Sequence, residues 1–138
     1  LIRILCLISL TIFFVACQDN EQVSNEQKPV QHLQLPDILS QSEAWDVLQT
    51  TSEQLGNFEQ LDASELNEIH MITYSLEKAI AYFATQSEPR LAKQAQTMAV
   101  VVEDLHLNSE NNRKESSLAA LNRYFKLYKR FLSEANIP

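Results

Sequence analysis

Residues 62–85 read DASELNEIHMITYSLEKAIAYFAT, and their spacing decides the fold class. Leu66, Ile69, Thr73, Leu76, Ile80 and Phe83 recur at steps of three and four, which is the seam of a helix packed inside a bundle. Asp62 supplies an N-cap, Glu65 three residues later completes a capping box, and Leu61 pairs with Leu66 as a hydrophobic staple. The pattern predicts one long helix that ends near Thr85.

On its C-terminal side, Ser87-Glu88-Pro89 restarts the chain, because proline is tolerated in a first helical turn where its missing N–H costs nothing. A third helix is expected to about Asn108, with Leu91, Ala95, Met98, Val101, Val102 and Leu105 as its inner face. The polar run Asn108-Ser109-Glu110-Asn111-Asn112 reads as a turn. A fourth helix then carries Leu118, Leu121, Phe125, Tyr128 and Leu132 at heptad-like steps.

On the N-terminal side, Ser40-x-x-Glu43 opens a first helix through a second capping box, and Gly56-Asn57 ends it near Leu55. Ala44, Val47, Leu48, Thr51 and Leu55 form its apolar stripe. Trp45 sits beside that stripe and is expected to seal the core rather than hold a ligand. Connections this short force consecutive helices to run antiparallel, so the expected fold is all-α, an up-and-down antiparallel bundle of four helices, or three long helices with a loosely packed first.

The composition agrees with helices. Of 138 residues 45% are hydrophobic and one is glycine, Gly56, which leaves neither the turn glycines nor the β-branched runs of a sheet protein. The same scarcity excludes a Gly-rich phosphate loop and a Gly-x-Ser-x-Gly nucleophile turn, so no hydrolase constellation is visible and catalysis is not indicated.

Residues 1–16 place Arg3 before the apolar run 4–15 and end in Ala16, the pattern of a signal peptide. Twelve apolar residues span only about 18 Å as a helix, against a hydrocarbon core of about 30 Å. The segment is therefore expected to be cleaved rather than kept as a membrane span. Phe14-Val15-Ala16-Cys17 resembles the lipobox of bacterial lipoproteins, although Phe14 stands where leucine is usual. An ordinary secretory leader containing a cysteine is the alternative.

Cys17 falls where the apolar run gives way to Gln18-Asp19-Asn20-Glu21, and it is the expected site of lipidation. Acyl chains such as palmitate contribute about 0.8 kcal/mol per buried CH₂, so several on one residue fix the protein to a membrane facing the periplasm. Gln18 after the cysteine favours the outer membrane. Residues 17–35 read as a lipidated cysteine followed by a flexible linker, and 36–138 as the bundle domain. With Cys6 in the leader and Cys17 acylated, no thiol remains for a disulfide or a cysteine-held zinc.

Once the leader is gone, ten Lys and Arg face eighteen Asp and Glu, a formal charge of about −8. Uniform binding to nucleic acid is disfavoured, and no nucleic-acid partner is expected. The charge is uneven: residues 18–112 hold four bases and sixteen acids, whereas 113–138 hold six bases and two acids. The basic group Arg113, Lys114, Arg123, Lys126, Lys129 and Arg130 is a candidate face for lipid phosphates or an acidic envelope protein. Charge complementarity with acidic neighbouring helices is the structural alternative.

His70 and His106 are the candidate chemical residues, since each lies within a helix, while His32 sits in the tether. His70 shares a face with Tyr74 and Glu77, and Glu103-x-x-His106 aims a carboxylate and an imidazole to one side. Di-iron bundle proteins use that Glu-x-x-His arrangement on two helices. Here the other helix offers Asn67-x-x-His70, which disfavours a di-iron oxidase. The form that survives is one zinc or copper ion held by His70 and His106 with Glu77 or Glu103, or a non-covalent haem. His70 lies about fifteen residues before its helix ends and His106 about seventeen after the next begins, so their heights nearly coincide at 1.5 Å per residue. The competing reading has both imidazoles hydrogen-bonded to Tyr74 or a glutamate and serving packing. Met71 is expected at the surface and Met98 in the core.

Two stretches, Glu68-Ile69-His70-x-x-Thr73-Tyr74-x-Leu76-Glu77-x-Ala79 and Val102-Glu103-Asp104-Leu105-His106-Leu107-x-Ser109-Glu110, resemble a family of small exported helical bacterial proteins, a domain of unknown function. The resemblance covers roughly 43–133 and implies a helical envelope domain with both histidines inside its motifs. It implies no activity. The expectation is therefore a non-enzymatic, lipid-anchored bundle that binds a partner or assists the envelope, with a metal- or haem-binding bundle as the alternative.

Overall fold

The computed structural model describes residues 33–135, which form four helices: α1 (Gln41–Leu55), α2 (Ala63–Gln86), α3 (Pro89–Glu110) and α4 (Lys114–Glu134). The expected leader, Cys17 and the linker as far as residue 32 lie outside the described residues.

The first three helices start where a side chain can satisfy the free N–H groups of a first turn, whereas α4 starts after Arg113 without a side-chain cap. Ser40 Oγ accepts from Glu43 N–H at 3.2 Å, and the Glu43 carboxylate returns to Leu39 N–H at 3.2 Å. Asp62 Oδ1 accepts from Ser64 and Glu65 N–H, both at 2.9 Å. Glu65 reaches back past the cap to Gln60 N–H at 3.0 Å and to Leu61 N–H. That grip, together with burial of the Leu61 side chain at 3% exposure, holds Leu61 at φ 48°, a left-handed conformation costly for leucine. Glu88 caps α3 through Leu91 and Arg90 N–H at 3.0 and 3.1 Å, with Pro89 in the first turn.

The helices run up and down. Trp45 near the start of α1 meets Phe83 near the end of α2 at 4.5 Å and Phe131 near the end of α4 at 5.6 Å between ring centroids. Arg90 at the start of α3 reaches Glu134 at the end of α4. Of the two forms expected, the four-helix one stands: Ala44, Leu48 and Leu55 of α1 are completely buried, so the first helix is a full member of the core. The α2 seam is buried as its spacing predicts, with Leu66, Ile69, Thr73, Leu76, Ile80 and Phe83 all at 2% exposure or less. At about 1.5–3 kcal/mol for each large apolar side chain, this burial is what holds the helices together. Met98 is in the core and Met71 at the surface.

Two expectations are corrected. The α4 stripe is turned by about one position: Ser117, Ala120, Leu121, Tyr124 and Phe131 are buried, Leu118 is exposed, and Phe125, Tyr128 and Leu132 are half-buried. Tyr124 and Phe131 thus belong to the core rather than to the basic face between whose charges they fall. The small residues Ser117 and Ala120 let α4 approach its neighbours there, which a count of large apolar side chains overlooks. Second, α3 continues through Glu110, because Ser109 is buried at 1% exposure and bonds back to His106 O; the turn shrinks to Asn111-Asn112, with Asn112 left-handed at φ 52°. Gly56 ends α1 as expected, with a right-handed φ of −71°.

Residues 33–39 lack regular secondary structure and lie against α2. Asp37 pairs with Lys78 at 2.6 Å, and Ile38 packs on the core.

Candidate functional site

The site begins with Thr73, midway along α2 and fully buried. Its Oγ1–H donates to His70 O at 2.6 Å. A hydroxyl has one hydrogen, so at the 2.9 Å contact with His106 Nδ1 Thr73 accepts and His106 donates. The same Nδ1–H lies 3.1 Å from Glu77 Oε1. His106 is therefore the Nδ1–H tautomer when neutral, hydrogen-bonded to the threonine hydroxyl with the Glu77 carboxylate beside it, and its acceptor lone pair is on Nε2.

The remaining aromatic rings complete the cluster. His70 Nε2 lies 3.2 Å from Tyr74 Oη. The two imidazoles meet edge to face with centroids 4.7 Å apart, and Tyr74 meets His106 in the same way at 4.8 Å. His70 is 9% and His106 4% exposed. The matching heights expected from residue counting are realised across α2 and α3; His70 meets Tyr74 as the packing reading expects, whereas His106 bonds to the Thr73 hydroxyl, a partner that reading did not name. Glu103 is exposed and stands with Tyr74, Glu77, His106 and Leu107 on the wall of a surface cleft of about 450 Å³. Among the described residues, no three His, Cys, Asp or Glu side chains already converge as a metal cage.

Glu77 Oε1 stands close enough to His106 Nδ1 to form an ion pair when the imidazole is protonated. Spacing along α2 places Glu77 on the His70 face; only the crossing with α3 shows that its carboxylate faces His106. Thr73 was legible as a seam residue, but its role as the hydroxyl linking the two histidines was not, since that bond joins positions on different helices.

The six bases of the last helix are all exposed. Arg123 pairs with Asp104 of α3 at 2.8 Å and Arg130 with Glu134 at 3.2 Å. Glu134 also faces Arg90 at 2.8 Å. Burial alone would raise its carboxyl pKa, yet hydrogen bonds from Arg130 and Gln94 and the charges of Arg90 and Arg130 outweigh that and hold it below the usual range. A second buried polar link, Ser52 Oγ to Tyr124 Oη at 2.6 Å, joins α1 to α4. Burial pushes the Tyr124 phenol up, against a smaller lowering by the Ser52 hydrogen bond.

Fold and site together define a small antiparallel four-helix bundle with a hydrogen-bonded histidine pair between its two central helices. The chain belongs to a family of unknown function, DUF6746, whose model matches residues 3–133. The match begins upstream of the 43–133 stretch on which the resemblance rests. No curated protein and no solved structure matches the chain.

Proposed function

We propose that the protein is a non-enzymatic envelope lipoprotein, held by acyl chains on Cys17 to a membrane facing the periplasm, the outer membrane before the inner, where its bundle binds a partner protein. The observation that carries this is the cysteine at the junction between the apolar run 4–15 with Ala16 and the polar segment that follows. Among the described residues no helix is long and apolar enough to cross a membrane. Mass spectrometry of protein extracted from the envelope is the test. An N-terminus at residue 17 carrying a diacylglyceryl mass supports the reading; a bare thiol there, or a retained leader, overturns it.

The histidine pair favours a second reading, a single bound metal ion. The two imidazoles lie in contact across two helices, a carboxylate stands beside one of them, and a cleft opens beside His106. Rings meeting edge to face at 4.7 Å leave no gap for a macrocycle, so the geometry favours an ion over a haem. Protein purified without chelator is expected to carry zinc or copper near one equivalent and to lose it in His106→Gln. Absence of metal, or metal retained in that variant, removes this reading.

A further inference from the structure

The groove along α2 around Lys78 holds residues 33–39, LQLPDIL, and holds them loosely. The Asp37–Lys78 ion pair has side chains 82% and 37% exposed, a setting in which such pairs contribute little. Leu35 and Ile38 are half-buried, while Leu33 and Leu39 remain 45% and 86% exposed. A segment with few buried apolar contacts and no secondary structure opens readily.

The groove is also larger than its occupant. Three cavities flank the segment: about 160 Å³ between Pro36 and Val47 of α1, about 430 Å³ between Leu39 and Tyr82, and about 450 Å³ between Leu33 and Leu107 of α3. Lys78 borders all three, and it is the one Lys or Arg in α2. A lone cation set in a partly apolar channel reads an acidic residue flanked by aliphatic ones, which is the chemistry Asp37 and its neighbours present.

We infer that this groove is a receptor for an extended segment of a partner protein with aliphatic residues around a proline and an acidic residue, and that residues 33–39 are its resident, displaceable occupant. The inference rests on the partner-binding reading above and locates the surface. A tethered occupant competes at an effective concentration in the millimolar range, so the groove's apparent affinity is reduced by the fraction of time it is filled. Displacement also frees seven residues of tether, up to about 25 Å of added reach at about 3.3–3.6 Å each.

The test uses the full chain and a fluorescent peptide of sequence LQLPDIL, read by anisotropy. Asp37→Lys places like charges side by side and releases the resident segment; because Asp37 is exposed, helix content stays unchanged. The peptide is expected to bind Asp37→Lys about twofold to fivefold more tightly than wild type, the range an exposed ion pair supplies, to lose that gain when Lys78→Ala is added, and to bind Asp37→Lys more weakly when the peptide carries lysine for aspartate. Equal affinity for wild type and Asp37→Lys, no binding to either, or equal binding of a scrambled peptide would overturn the proposal. Doubled mass in sedimentation would replace the foreign partner with a second copy of this chain and overturn it too. Photo-crosslinkers at Thr85 beside the groove and at Lys126 on α4 separate the two levels in the native envelope. Crosslinks from position 126 alone remove the groove and leave the partner-binding reading; crosslinks from neither remove both.

Discussion

Removing the Ser52 hydroxyl is expected to cost more stability than removing that of Tyr124, although the two form one hydrogen bond. Ser52 Oγ lies 2.5 Å from Leu48 O, a partner that can only accept, and 2.6 Å from Tyr124 Oη. Its single hydrogen goes to the carbonyl, so Tyr124 is the donor in the second bond. Ser52→Ala leaves the O–H of a completely buried tyrosine without its acceptor, a penalty of about 1–3 kcal/mol. Alanine's better helix propensity returns about 0.5 kcal/mol, which brings the expected loss to about 0.5–2.5 kcal/mol. Tyr124→Phe removes the donor and strands only a lone pair on Ser52. Its loss falls at about 0.5–1 kcal/mol. At about 4–8 °C per kcal/mol for a domain of this size, the midpoint of thermal unfolding followed by circular dichroism is expected to drop by about 2–20 °C for Ser52→Ala and about 2–8 °C for Tyr124→Phe, with Ser52→Ala the lower of the two. The double variant is expected to be no worse than Ser52→Ala alone, since no donor is then stranded. A milder effect for Ser52→Ala than for Tyr124→Phe would refute the donor assignment.

Gly56→Ala is expected to stabilise the chain by about 0.4–1 kcal/mol in urea titration, because φ at Gly56 is −71° and an added Cβ meets Glu53 O, Ser52 O and Phe125 Cζ at 3.4, 3.6 and 3.8 Å, ordinary contacts. Phe83→Ala, at a fully buried ring touching Trp45 and Phe131, is expected to cost about 3–5 kcal/mol of a total of about 5–15, enough for the helical signal to melt at much lower denaturant. The hydrogen bond and charge of Lys78 hold the Asp37 carboxyl below its ordinary value of 3.8; the small contribution of this exposed pair to holding residues 33–39 is therefore present above that value and lost as pH falls through the lowered one. A carbon-13 pH titration of the Asp37 carboxyl is expected to place its midpoint below the ordinary value and Lys78→Ala to return it toward that value; an unchanged midpoint in the variant would contradict the pair. Nitrogen-15 correlation spectra of neutral His106 are expected to place its hydrogen on Nδ1, and a hydrogen on Nε2 would contradict the hydrogen-bond chain through Thr73.

Local chemistry is legible in order along the chain. Asp62 with Glu65, Ser40 with Glu43 and Pro89 mark helix starts to within a residue, because capping depends on neighbours three positions apart. The α2 seam is equally readable, since its large apolar residues alone describe the buried face. Short connections between such helices leave an antiparallel bundle as the outcome.

Tertiary structure decided what depends on a second helix. The buried face of α4 is set by where Ser117 and Ala120 permit close approach, not by its largest apolar residues, so periodicity alone misplaces Leu118 and Tyr124. The partner of His106 is likewise chosen by how α2 and α3 cross: Glu103 and Glu110, its neighbours in sequence, yield to Thr73 and Glu77 on the facing helix. Helical periodicity carries information about one cylinder at a time, whereas hydrogen bonds such as Ser52 to Tyr124 and packing such as residues 33–39 against Lys78 exist only once the cylinders are assembled.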